Sequence, residues 1–387
     1  MRSVILGLSG PYHELAACLV LDGVVTCMIE EERLSRVRHG KAARIDNGAE
    51  WPIRAAEHCL ADAGLDFAAV DHIAYPFVPE ERLRNIGSDP HPESASWSSE
   101  AGERRFVADV LSIEGLIRAH AGQRARFRFH HLPHHLAHAA SAFLPSPFSS
   151  AAVMAVDGIG EHDTTWLGKG DGDSLQVLQT MQYPHSLGLL WEAVSEGLGF
   201  GPYGATKVMG LAAHGDPTRY AALLAERVTL GDGGAFTVDG SKLRFREDGP
   251  GWVAREVPEA LVRPGQPIEQ AGADLAAALQ KRTEEVLIHL AGWLQRVTGS
   301  PKLCLAGGVA LNCAANGRLA STGLFEEIFA QPAANDAGTA LGAALLLHHR
   351  MHLASPRWRQ TTARLGPKRS HPEVVACINK TSLSTLR

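Results

Sequence analysis

The chain has 387 residues, of which 45% are hydrophobic and 20% charged; this excludes a peptide hormone, a disulfide-stapled miniprotein, a disordered polymer and a fibre. Lysine and arginine number 37 against 42 acidic residues, a net charge of −5, so no net basic field exists to condense onto nucleic acid or anionic lipid. The six cysteines never form C-x-x-C and read as buried thiols, and no run is long enough for a signal peptide or membrane span, which predicts a cytoplasmic, non-membrane protein.

In chain order, residues 3–8 form an apolar strand ending in Ser9-Gly10, Leu15–Leu21 a second, and Val24–Glu30 a third after a turn at Asp22-Gly23. Asp-Gly between alternating runs marks a hairpin, because both residues tolerate the positive φ of tight turns. Glu50–Gly64 reads as helix, DHIAYPF as strand, Glu100–Gly122 as helix, ARFRF as strand and Pro133–Phe143 as helix. About 150 residues after the first meander the opening returns: residues 151–156, Asp157-Gly158-Ile159-Gly160, the strand TTWLGKG, a turn at Asp171-Gly172 and the run LQVLQTM. A long amphipathic helix, Ile268–Val297, follows, then KLCLAG extended, Ala310–Ala320 helical, EEIFAQ extended and Asp336–His348 helical.

Two tandem βββαβα units describe an α/β, duplicated ribonuclease-H-like fold of the actin and sugar-kinase type (ASKHA), with a nucleotide cleft between its halves. The expected division is 1–150 for the first half, 151–350 for the second and 351–387 for a linker-like tail. Residues 84–99 and 231–265, rich in Pro, Ser or Gly, read as surface insertions.

The densest polar feature is FHHLPHHLAHAASAF, with five histidines between 130 and 138. His134 and His138 are four apart on a predicted helix, so both imidazoles project from one face at metal-ligand separation. Asp157, at the end of a strand, and Asp336, at the start of a helix, are the carboxylates the duplicated fold brings to the same cleft. Two imidazoles with carboxylates and open positions suit Fe(II) or another divalent first-row metal; solvated or hydrogen-bonded histidines are the plain alternative. His130, His131 and His135 read as structural or supporting.

Glycines at 158 and 160, at 307 and 308, and at 338 lie where a strand feeds a turn or a helix begins, so their backbone N–H groups could approach phosphate. His13, after Ser9-Gly10, is a candidate general base toward a hydroxyl. Lys207 could balance phosphate or carboxylate charge, although an exposed lysine is the default. The run Glu30–Arg36 reads as a solvated face. No G-x-S-x-G elbow supports serine-hydrolase chemistry.

With those residues in view, the chain resembles the O-carbamoyltransferases of nodulation-factor and antibiotic biosynthesis, whose N-terminal module is similar to the tRNA threonylcarbamoyl-transfer proteins. The matching segments are HELAACLV (13–20), EEERLSRVRHG (30–40), HHLAHAASAF (134–143), AVDGIGE (155–161), KVMGLAAHG (207–215), LAGGVALNCAANGRL (305–319) and QPAANDAGTALGAAL (331–345). The resemblance implies that His134, His138, Asp157 and Asp336 are iron ligands, that the loops around Gly160, Gly307, Gly308 and Asn312 cradle an adenylate, and that His13 lies at the transfer site. It further implies a carbamoyl adenylate, made from ATP and carbamoyl phosphate, that donates its carbamoyl group to a small-molecule hydroxyl. The family pattern has His-Asp where this chain has His13-Glu14, and Pro-Tyr where it has Ala213-His214. Family members also continue into a YrdC-like domain that forms the adenylate; residues 364–377 resemble the linker toward it, so a separate YrdC-like protein or domain is an expected partner, or the chain is a truncated product. An ATP-binding or ATP-hydrolysing relative and a non-catalytic scaffold are the competing readings.

Overall fold

The computed structural model describes residues 3–42, 44, 46–85, 99–201, 203–245, 251–263, 265–353, 355–367 and 369–380. Most of the expected insertion at 84–99 therefore lies outside the described residues.

The first apolar run is β1 (Val4–Leu8), buried along its whole length. It pairs antiparallel with β2 (Ala16–Leu21), which pairs antiparallel with β3 (Val24–Glu30). Asp22 at φ 51° and Gly23 at φ 81° make the turn between them, the double positive φ that the Asp-Gly pair predicts. Strands β4 (His72–Tyr75) and β5 (Arg128–His131) then add in parallel on the other side of β1. The sheet order is β3-β2-β1-β4-β5.

The second half repeats this order. Strands β6 (Ser150–Val156), β7 (Asp163–Asp171) and β8 (Ser174–Gln182) form the antiparallel meander. After the small hairpin of β9 (Val228–Leu230) and β10 (Phe236–Val238), strands β11 (Lys302–Ala306) and β12 (Glu327–Ala330) join β6 in parallel. Read from its meander edge, this sheet runs β8-β7-β6-β11-β12. The protein therefore has the duplicated ribonuclease-H-like, two-lobed α/β fold.

The helices Ala337–Met351 and His134–Phe143 pack together through small residues. A Cβ at Gly342 would stand 1.9 Å from the carbonyl oxygen of Ala137, so only glycine permits this approach. Their shared core joins Ile5, Ala16 and Cys18 of the first sheet to Val153, Ala155 and Cys304 of the second. Each half also has its own core, with Leu6, Ile73, Phe106 and Ile113 in the first and Leu167, Trp191, Leu275 and Leu305 in the second.

The structure corrects three expectations. The described residues of the expected insertion 231–265 are anchored inside rather than lying on the surface: Phe236, Trp252, Val253 and Val257 are buried in the core of the second half. The glycine and proline punctuation masked these widely spaced apolar anchors. Cys313 and Cys377 are exposed, whereas Cys18, Cys27, Cys59 and Cys304 are buried. The expected helix Ala310–Ala320 divides into a tight turn, Gly308–Leu311, and a helix, Cys313–Ala320, capped by the Asn312 side chain. No helix among the described residues is long and apolar enough to cross a membrane.

Candidate active site and metal-ligand cluster

His134 opens the helix His134–Phe143, whose alanines face the shared core. The helix start is held by Glu161, whose Oε1 accepts from the backbone N–H groups of Val78 (2.8 Å) and His134 (3.1 Å) while Oε2 accepts from His134 (3.2 Å). A buried carboxylate thus satisfies the N–H that opens this helix together with that of Val78, which precedes the helix Pro79–Arg84. Burial pushes the Glu161 pKa up to about 6, against the pull of His134 and these N–H groups.

The i, i+4 spacing carries both imidazoles to one point. Asp157 arrives from the end of β6 and Asp336 from the start of helix Ala337–Met351. The two Nε2 atoms are 3.1 Å apart. Asp157 Oδ2 lies 3.5 Å from each, and Asp336 Oδ1 lies 3.5 Å from His134 and 3.4 Å from His138. All four residues are buried, and their ligand atoms lie within 4.8 Å of one another.

These separations fit a cation. Bonds of about 2.1 Å set neighbouring donors about 3.0 Å apart in an octahedron and about 3.4 Å in a tetrahedron. His134 Nδ1 faces the carbonyl oxygen of Pro76 at 3.2 Å; donating there makes Nδ1 the protonated nitrogen and turns the Nε2 lone pair inward. Asp157 Oδ1 accepts the Gly308 N–H at 2.7 Å, which leaves Oδ2 for the cluster. Burial opposes the charged form of His134, and the adjoining Asp336 and Asp157 outweigh it, holding the pKa well above the usual value; His138 is raised for the same reasons. Burial likewise opposes ionisation of Asp157 and Asp336, yet the imidazoles hold both carboxyls low. A divalent first-row cation suits this N2O2 donor set.

The cluster lies at a cavity of about 490 Å³. Asp157, Asp336 and Gly308 line one part, His13 and His39 another, and Trp191 and Trp252 supply an apolar wall. Glu192 also faces this space: burial, reinforced by the charges of Asp157, Glu196 and Asp336, pushes it up to about 8.

The residues singled out from sequence have varied positions. His13 lines the cavity and lies close enough to Asp336 to help hold that carboxylate ionised. Gly307, at φ 83°, lets the chain cross the end of β6 where a Cβ would stand 2.2 Å from the Val156 carbonyl oxygen, and it presents Gly308 to Asp157. Asn312 lines the cavity, but its amide is engaged: Nδ2 donates to Gln280 (2.8 Å), and Oδ1 accepts from Ala315 N–H (2.9 Å).

Three expectations change. Gly160 is a packing residue, since a Cβ there would come within 2.9 Å of His134; the cavity is lined instead by Gly158 and Ile159. Gly338 is packed under the Ala333 carbonyl oxygen, 1.9 Å from where a Cβ would be, and does not line the cavity. Lys207 is exposed, with its ammonium 5.6 Å from the Phe200 ring centroid. Its helix turns Ala205, Thr206 and Met209 toward the cavity, and the helical period directs residue 207 elsewhere. His130 pairs with His72 at 3.0 Å and His131 with the Phe77 carbonyl at 2.8 Å, both outside the cluster.

Sequence reasoning missed Glu161, Glu192 and the pair Glu14 and His39. The pair Glu192 and Glu196, one turn apart inside an otherwise apolar helix, was the readable signal for that wall; no comparable pattern marked Glu161.

A family model described as carbamoyltransferase N-terminus matches residues 4–345. An uncharacterised protein of Synechocystis, sll1178, is 35% identical over 96% of this chain and 62% of its own length. The nodulation protein NolNO of Sinorhizobium fredii is 35% identical over 92% of this chain and 49% of its own length. The chain thus spans about half to three-fifths of these curated relatives. Among solved structures, component A of the (R)-2-hydroxyglutaryl-CoA dehydratase of Acidaminococcus fermentans superposes with a TM-score of 0.49 at 15% identity, covering 90% of this chain and 98% of that one.

Proposed function

The chain belongs to the carbamoyltransferase family whose N-terminal model it matches, and we propose that it transfers the carbamoyl group of a carbamoyl adenylate to a hydroxyl of a small acceptor, a natural product or sugar. The observation that carries this reading is the convergence of His134, His138, Asp157 and Asp336 beside one cavity. When bound there, Fe(II) or another divalent ion would supply Lewis acidity toward a carbamoyl or phosphoryl oxygen.

The chain's own residues account for the rest. The turn at Gly308 and Asn312, both lining the cavity, offers the adenylate a close approach, and the apolar wall of Trp191 and Trp252 excludes water that would otherwise hydrolyse the donor. His13 contacts the group in transfer. The donor itself, formed from ATP and carbamoyl phosphate, comes from a YrdC-like domain or protein. The setting is cytoplasmic, with no nucleic acid or membrane in the reaction.

Mg-ATP chemistry alone is the weaker reading, because such sites rely on oxygen ligands and have no need of two buried imidazoles. The test is direct: the full chain, loaded with Fe(II) and given carbamoyl adenylate from a separate YrdC-like enzyme, is offered a panel of polyhydroxylated acceptors and the products are read by mass spectrometry. A carbamate ester that requires the metal is expected. ATP hydrolysis without carbamoylation would overturn the reading.

A further inference from the structure

Three non-glycine residues at the cavity hold left-handed backbone, Glu14, His39 and Arg244, and the first two are hydrogen-bonded to each other. Glu14 has φ 55° and His39 φ 61°, a conformation side chains rarely adopt unless the surroundings impose it. Here several bonds impose it. Ser9 Oγ donates to the Glu14 carbonyl oxygen (2.7 Å), Leu15 N–H to the His39 carbonyl oxygen (3.1 Å), and His39 N–H to Glu32 Oε2 (2.8 Å).

The result is a carboxylate–imidazole dyad: His39 Nδ1 lies 2.7 Å from Glu14 Oε1. An ionised carboxylate only accepts, so Nδ1 carries the proton and Nε2 the lone pair. That Nε2 is buried and has no hydrogen-bond partner among the described residues. A buried acceptor left unpaired in a cavity wall is the place where a ligand's donor fits. His13 differs. Its Nδ1 is 4.0 Å from the same Glu14 oxygen, too far for a hydrogen bond, and has no hydrogen-bond partner among the described residues, so Glu14 does not fix its tautomer. The Tyr203 ring lies against both imidazoles, at 4.6 Å from His39 and 5.1 Å from His13 between centroids.

We propose, resting on the carbamoyl-transfer reading above, that His39 Nε2 takes the proton of the acceptor hydroxyl and that Glu14 is the positioning residue that fixes its tautomer. The hydroxyl oxygen forms a bond to the carbamoyl carbon. The bond from that carbon to the adenylate phosphate oxygen breaks, and AMP leaves with the electron pair. The hydroxyl proton resides on Nε2, and the resulting imidazolium is stabilised by Glu14 before release to water. His13 is then left to contact the carbamoyl group rather than to accept the proton.

The experiment compares wild type, His39→Gly, His39→Asn and Glu14→Gln under the transfer assay above. Glycine and asparagine both tolerate the positive φ at position 39, so these variants keep the fold. Transfer falls about 10²- to 10⁴-fold in His39→Gly, with metal content unchanged, and added imidazole restores part of it. The asparagine variant, whose side chain fills part of the vacated space, is restored less. Nitrogen-15 spectra of His39 show the Nδ1–H tautomer in wild type and lose that preference in Glu14→Gln. Wild-type rates in His39→Gly, lost transfer that imidazole does not restore, or an Nε2–H tautomer in wild type each overturn the proposal. Wild-type protein that transfers nothing overturns the functional reading itself, which separates the two failures.

Discussion

Replacing Glu161 tests how the helix start and the metal cluster depend on one another. In Glu161→Ala the buried N–H groups of Val78 and His134 lose their acceptor, at roughly 1–3 kcal/mol each. The same substitution removes a carboxylate whose pKa burial raises to about 6, a strain of about 2 kcal/mol at neutral pH. The net expected loss is about 0–4 kcal/mol. Glu161→Gln behaves differently, because its amide oxygen can still accept both N–H groups while the buried charge is gone; its stability stays within about 1 kcal/mol of wild type. Loss of the support behind His134 should also weaken metal binding in the alanine variant by about 10- to 100-fold. Urea unfolding followed by tryptophan fluorescence and calorimetric metal titration read the two effects. An alanine variant with unchanged urea midpoint and metal affinity would refute the reasoning.

Other expectations concern the cluster and the cavity wall. His138→Ala should purify without stoichiometric metal and without transfer, whereas His13→Ala should retain metal and lose transfer; elemental analysis beside the transfer assay separates them, and metal retained by the first would remove His138 from the ligand set. Burial raises the Glu192 pKa to about 8, above its value in the unfolded chain, so the folded state disfavours its charged form. Stability is therefore lost as pH rises through the folded pKa. Melting in EDTA should show Glu192→Gln equal to wild type near pH 5 and more stable near pH 9, and equal melting at both would contradict the assignment. Metal affinity should fall on acidification, since His134 and His138 hold protons that the cation must displace.

Much of the architecture was readable because its signals are local. The two meanders declare themselves through alternating apolar runs and Asp-Gly turns, and the repeated order of strands follows from using one unit twice. The convergence of the four clustered residues was readable for a related reason: His134 and His138 share a helical face, and Asp157 and Asp336 sit at the element ends that a duplicated fold directs to one cleft. The failures share a different cause. Gly160 and Gly338 look like phosphate-binding glycines, but closeness to His134 and to the Ala333 carbonyl explains them, and sequence does not reveal such proximity. Lys207 depended on which face of a short helix meets the cavity. The His39 and Glu14 dyad joins positions 25 residues apart through backbone conformations that only the folded loop imposes. Even so, Glu14 was visible as the place where this chain departs from the His-Asp pattern of the family it resembles.

The central claim is that the His134, His138, Asp157 and Asp336 cluster and its cavity form a site for an activated carbamoyl donor. The most direct test is a calorimetric titration of the Fe(II)-loaded full chain with a non-hydrolysable carbamoyl-adenylate analogue, with Mg-ATP and the His138→Ala variant in parallel. The account predicts that the analogue binds more tightly than ATP and that its binding is lost in His138→Ala. Mg-ATP binding more tightly than the analogue, with no dependence on the cluster, would contradict it.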